Sequence, residues 1–267
     1  MVIRMKVLIT GATSGIGFLT GIVLNDRNHK VYMTTHTKEQ LETLNNNLSQ
    51  MGINDINTFK LDITNTDDVE KIKELDIDVL INHAGIGIGG SIIDIDIDKV
   101  KENFEVNFFS TFNLSKIFCN KLLAENKKGK LLITSSIAGI IPFEFLGSYC
   151  SSKAAITMMA SCLRKELKYK KSNISVSLIE PGSYKTGFNQ VMVDSVDYNI
   201  DESSYFYDIR EKIYNILNLQ FDIVEKRDIN SIVCQIIKAV EDKQNKFIYT
   251  APFSQKLIKK IYLLLFR

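Results

Sequence analysis

Tyr149 and Lys153 stand four residues apart in the segment GSYCSSK, where helical spacing begins. Residues at i and i+4 are helix neighbours, so the pair is either an ordinary solvated face or a phenol with a cation beside it. An unperturbed tyrosine loses its proton near pH ~10, and an adjacent fixed cation lowers that value. The chemistry such a pair serves is proton exchange with an oxygen. A second candidate is the turn Thr10-Gly11-Ala12-Thr13-Ser14-Gly15-Ile16-Gly17, which follows an apolar run and opens a helical segment. Its glycines let the backbone approach a pyrophosphate, whose charge is met by amides at the start of the helix. A tight strand-to-helix turn would use the same glycines, so neither feature decides the function alone.

Runs of strand length alternate with helical stretches and would position these groups. The strand candidates are KVLIT at 6–10, KVYMTT at 30–35, NTFKLD at 57–62, DVLIN at 78–82, KLLITSS at 130–136 and SVSLIE at 175–180. They are rich in β-branched residues and hardly alternate, which fits strands covered on both faces. Helical patterns cover 15–25, 38–51, 67–75, 98–125 and 148–170. Strand-helix-strand repetition predicts an α/β fold, a doubly wound parallel sheet of Rossmann type with helices on both faces. Its ligand crevice lies beyond the carboxyl ends of the strands.

The chain has 267 residues, 45% hydrophobic and 24% charged, which suits one domain over 1–267. A net charge of +2, without basic blocks interleaved with aromatics, argues against nucleic acid as a partner. Cys119, Cys150, Cys162 and Cys234 stand singly, which indicates neither a disulfide framework nor a zinc site and fits a cytoplasmic location. The three scattered histidines build no metal site.

The glycine loop and Tyr149-x-x-x-Lys153 together resemble the short-chain dehydrogenases/reductases in their single-domain branch. Further segments match in order. NHAG at 82–85 is similar to that family's Asn-Asn-Ala-Gly, with His83 as a departure read as packing or a local hydrogen bond. Asn107 falls where the family carries an asparagine on its central helix, and Ser136 stands thirteen residues ahead of Tyr149, the family's separation for the catalytic serine. IEPGSYKT at 179–186 resembles the Pro-Gly segment that closes over the nicotinamide.

The resemblance implies an oxidoreductase that transfers a hydride between a nicotinamide dinucleotide and a carbonyl or secondary alcohol. Tyr149 would exchange the proton, Ser136 would orient the substrate oxygen, Lys153 would lower the tyrosine pKa and hold ribose hydroxyls, and Asn107 would anchor a water. Cofactor contacts would come from Thr10, Gly11, Thr13, Ser14, Gly15, Ile16 and Gly17 in the first loop. Asp62 and Ile63 after the third strand, then Asn82, Ala84 and Gly85, and finally Pro181, Gly182 and Thr186 would complete them. Ser135 is the neighbour that holds backbone. A non-catalytic dinucleotide sensor or scaffold is the competing class, and its usual mark is a broken catalytic set. A sugar-nucleotide epimerase is disfavoured by the glycine spacing.

NAD-preferring enzymes usually end the second strand with an acid that holds the ribose 2′-hydroxyl. Here Thr35 and His36 occupy those positions with Lys38 nearby, so NADP(H) is favoured over NAD(H), although Ser14 lacks the charge common in NADP-preferring members. Residues 183–224 are aromatic-rich and read either as a substrate lid or as packing on the sheet. The resemblance to hydroxysteroid and retinol dehydrogenase-like members implies a lipophilic ketone or alcohol. It also implies a homodimer or homotetramer through the helices at 98–125 and 148–170. A C-terminal helix at 252–267 mixes lysines with an apolar run too short to span a bilayer. It is expected to pack over the cleft or a subunit neighbour, with a membrane surface as the lesser alternative.

Overall fold

Seven segments form strands: β1 (Lys6–Ile9), β2 (Lys30–Thr35), β3 (Asn57–Lys60), β4 (Val79–Asn82), β5 (Gly129–Thr134), β6 (Ile174–Pro181) and β7 (Ile248–Ala251). In the computed structural model, which describes residues 4–266, they build one parallel sheet in the order β3-β2-β1-β4-β5-β6-β7. The unbroken apolar runs have a direct cause. Val7 and Ile9 of β1 enter one buried cluster and Leu8 enters another on the opposite face. Strands buried on both sides need no polar alternation.

Helices cover both faces. α1 (Gly15–Asp26), α2 (Lys38–Gln50) and α3 (Thr66–Glu70) follow the first three strands. Thr37 starts α2 by accepting the Gln40 amide at 3.2 Å, and Asn65 does the same for α3 with Asp68 at 3.0 Å. β1 lies between β2 and β4, so the winding direction reverses there and the loops after β1 and β4 diverge around a crevice.

The helix expected over 98–125 divides into α4 (Ile97–Phe104), a π-helical segment Glu105–Ser110, and α5 (Thr111–Ala124). α6 (Gly147–Tyr169) follows β5. The aromatic-rich stretch is more ordered than its weak periodicity suggests: α7 (Phe188–Tyr198) and α8 (Arg210–Val224) pack together there. Met192, Val193, Val196, Ile213 and Leu217 from these helices share a buried cluster with Tyr149. Besides these two helices, the sequence pattern did not show α9 (Asn230–Glu241) or the four-residue β7, too short to show a period. α10 (Phe253–Phe266) ends the described chain.

Candidate active site

The glycine loop is shaped by positive backbone angles. Gly11 has φ +67° and Gly15 φ +59°, conformations that residues with a Cβ rarely adopt. A Cβ on Gly11 would fall 2.7 Å from Ala84 Cα, so the loops after β1 and β4 touch there. Thr10 locks the same junction: its buried hydroxyl accepts the amides of His83 at 3.0 Å and Ala84 at 3.1 Å. Its oxygen thus braces the crevice from inside. Gly11→Ala is expected to cost about 1–2 kcal/mol from the backbone conformation alone, with the clash in addition. A urea midpoint equal to that of the wild type would refute this account.

Ser14 is the N-cap of α1 but makes no side-chain cap, so the first-turn amides of Gly15 and Ile16 keep their donors unclaimed by it. Thr186 approaches this turn closely, since a Cβ on Gly15 would sit 3.3 Å from it. Thr13 reaches Gln40 at 3.5 Å, and the same Gln40 oxygen accepts the His36 amide at 3.0 Å. Gln40 therefore joins the glycine loop to the end of β2, a role the sequence reading did not assign. Thr35 is buried and donates to the Thr37 carbonyl at 3.0 Å, while His36 is 65% exposed at its side chain and faces Asp62 at 3.4 Å. Asp62 also accepts from the Thr64 amide and hydroxyl at 2.9 and 2.7 Å, which holds its carboxyl below the ordinary range although burial opposes this most strongly. Ile63 is buried behind it.

Three candidates for proton chemistry meet above β5. Ser136 follows the strand, and its oxygen accepts the Ala138 amide at 3.1 Å, with its hydroxyl near enough to Tyr149 to act on the phenol. Ser135 points elsewhere, to the Lys153 carbonyl at 3.2 Å and Thr157 at 2.6 Å. Lys153, only 4% exposed, donates to the Thr134 carbonyl at 3.2 Å and lies 5.7 Å from the Tyr149 ring centre. No carboxylate pairs with it among the described residues. Burial accordingly pushes the Lys153 ammonium down to about 8.

The expected acidification of Tyr149 is not present in this structure. Burial pushes the phenol up to about 12, with the nearby Ser136 hydroxyl opposing it, and the lysine beside the ring does not reverse that balance.

Behind these groups runs a polar ladder. Asn107, in the π-helical segment, donates to the Ile86 carbonyl at 2.9 Å, Asn103 at 3.2 Å and Ser152 at 3.0 Å, and accepts the Ile86 amide at 2.9 Å. Asn103 in turn donates to Ser148 at 2.9 Å. Asn103 and Ser152 were not singled out from sequence. The signal was a polar pair one turn apart on each of two neighbouring helices. Gly85 fits between them: a Cβ there would stand 2.9 Å from Asn107 Oδ1 and 3.4 Å from Lys153 Nζ.

Asn82 turns toward α5, donating to Ser115 at 3.0 Å, while its Oδ1 is buried without a partner. His83 shares a hydrogen bond with Thr134 at 3.2 Å. Burial and the nearby Lys153 charge drive its imidazole down to about 4, so it is neutral at physiological pH. Pro181 ends β6 and Gly182 follows it, its amide donating to the Ala251 carbonyl at 2.8 Å.

These residues suit a dinucleotide: uncapped helix amides for a pyrophosphate, a glycine-tight junction beside it, and an ammonium with one protein acceptor and donors to spare.

A family model described as "short chain dehydrogenase" matches residues 5–197. Among curated relatives, "Probable short-chain type dehydrogenase/reductase VdlC" from Helicobacter pylori is 36% identical over 191 residues, covering 70% of this chain and 68% of the relative. A "3-ketodihydrosphingosine reductase" from Bacteroides thetaiotaomicron is 31% identical, covering 68% of this chain and 65% of its own length. The fold is also that of a short chain dehydrogenase/reductase from Burkholderia phymatum solved with NAD, with a TM-score of 0.80, 18% identity and coverage of 100% and 97%. Other matched structures hold NADP or NADPH.

Proposed function

Because this chain belongs to the short-chain dehydrogenase/reductase family, we propose that Tyr149, Ser136, Lys153 and Asn107 are the working group of an NAD(P)-dependent oxidoreductase. The reaction moves a hydride between the nicotinamide and a carbonyl or secondary alcohol. The observation that carries the residue assignment is the buried Tyr149 with the Lys153 ammonium 5.7 Å from its ring centre, paired with no carboxylate among the described residues, beyond the carboxyl end of β5.

When bound, the dinucleotide supplies or accepts the hydride. The amides at the start of α1 would hold its pyrophosphate, and Lys153 the ribose hydroxyls of the nicotinamide half. In carbonyl reduction the substrate oxygen gains negative charge and needs a proton. Tyr149, kept protonated by burial, donates its phenolic proton there, and Ser136 steadies the same oxygen with its hydroxyl. Asn107 fixes the Ile86 backbone beside Gly85, which keeps the route to Lys153 open. The apolar walls of α7 exclude water: Phe188 packs 5.8 Å from the Tyr149 ring, between centres.

We favour NADP(H). Thr35 and His36 supply no acid at the end of β2, and exposed Lys38 stands next to them. Asp62 beside His36 weighs against this, but it is turned into its own Thr64 turn. A lipophilic ketone is the favoured substrate, supported by the apolar cluster around Tyr149 and by the relative named for a sphingoid ketone.

Titration with each reduced dinucleotide, followed by cofactor fluorescence, tests the reading. NADPH is expected to bind about tenfold tighter than NADH, and His36→Asp to move the ratio toward NADH. A preference for NADH in the wild type would overturn the cofactor assignment, and binding of neither would overturn the site itself.

A further inference from the structure

A helix laid on a protein normally turns its apolar stripe inward. α10 does the reverse. Its buried residues are Gln255 and Lys259, one turn apart. Gln255 accepts the Ser183 amide at 2.6 Å and donates to the Val224 carbonyl at 2.9 Å. Lys259 forms a buried ion pair with Glu180, directly before Pro181 and Gly182. The helix is thus held by polar contacts.

Its outer face is apolar. Leu257, Ile261, Leu264 and Leu265, at i, i+4, i+7 and i+8, form one stripe, with Leu264 83% and Leu265 70% exposed. The Gln255 bond to Val224 sets the end of α8 beside it, where Ile223 and Val224 are also exposed. Lys256 and Lys260 flank the stripe on one side, and the helix carries no acidic residue. Lys259 is neutralised within the protein, whereas Lys256 and Lys260 face solvent.

We propose that this face of α10 docks on an anionic lipid surface, its leucines entering the headgroup boundary and Lys256 and Lys260 meeting lipid phosphates. No helix among the described residues is long and apolar enough to cross a membrane, so the contact lies in the interface plane. Charge decides between this occupant and a second copy of the chain. A two-fold contact through the same helix would bring lysines against lysines with no acid on either helix, whereas an anionic surface complements them.

Vesicle flotation with the full chain tests the proposal, using phosphatidylglycerol–phosphatidylcholine vesicles against phosphatidylcholine alone. The wild type is expected to partition about tenfold more onto the anionic vesicles. The exposed double substitution Leu264→Glu with Leu265→Glu should reduce partitioning about tenfold while leaving the thermal midpoint in place. Lys256→Glu with Lys260→Glu should erase the preference for anionic lipid. Equal partitioning of the wild type and the leucine variant would overturn the proposal. So would a lipid-free sedimentation mass that falls in the leucine variant, because the face would then be a contact between copies.

Discussion

Tyr149→Phe is expected to lower turnover by about 10³-fold while dinucleotide affinity stays within about twofold. The substitution is close to surgical. The ring that packs against Phe188 and shares a cluster with Met192 and Val196 is retained, and only the hydroxyl is lost. Ser136 keeps its bond from the Ala138 amide, so the loop after β5 retains its shape. What disappears is the phenolic hydroxyl assigned to give a proton to the substrate oxygen. Pre-steady-state mixing with NADPH and a ketone substrate separates binding from chemistry. Undiminished turnover would remove Tyr149 from its assigned role, and a large loss of dinucleotide affinity would mean that the hydroxyl serves binding instead.

Lys153→Met should have opposite effects on stability and activity. In the wild-type protein without dinucleotide, the folded ammonium has a pKa of about 8 against 10.5 for the ordinary value. Below pH 8 both states carry the charge and the full burial penalty destabilises the fold. Between 8 and 10.5 the unfolded chain holds more protons than the folded one, so wild-type stability rises with pH; above that window the penalty is gone. Methionine keeps the stem and carries no charge. It should therefore stabilise the dinucleotide-free protein by on the order of 3 kcal/mol at neutral pH, less the cost of leaving the Thr134 carbonyl unpaired. The advantage should shrink as pH rises toward 10.5. Turnover and dinucleotide binding should both fall sharply in the same variant. Urea unfolding of the two proteins across that range checks the stability claim, and parallel curves would show that burial of Lys153 is not strained.

Most of the sheet could be read before the structure, because strands buried on both faces leave apolar runs that recur between helical stretches. Five of the seven strands lie on such runs, whereas β3, at the sheet edge, has Phe59 as its one apolar residue. β7 does not, since four residues before Pro252 carry no pattern and join the sheet only through β6. The π-helical segment around Asn107 was also hidden: an extra residue in one turn leaves composition and amphipathic spacing almost unchanged. The spacing of Ser136, Tyr149 and Lys153 pointed to one place, and the fold brings them to it. Direction of charge was harder to foresee. A lysine one turn from a tyrosine suggests a lowered phenol pKa, but depth of burial raises it, and depth is a property of how α7 and α8 close over the site. The C-terminal helix was legible as a helix, while its inverted orientation depended on Glu180, a residue distant in sequence.

The reversal of winding between β1 and β4 also has a consequence in time. Val7 pairs with Val79, a longer sequence separation than in any other pair of neighbouring strands, and parallel pairing cannot begin from a hairpin. The glycine turn hangs from β1 and the Asn82–Gly85 segment from β4, so neither half of the crevice has its opposite wall until that closure occurs. Helices α1 and α2 can form on local contacts well before this. The crevice therefore depends on a distant closure between β1 and β4 that local helix formation cannot supply.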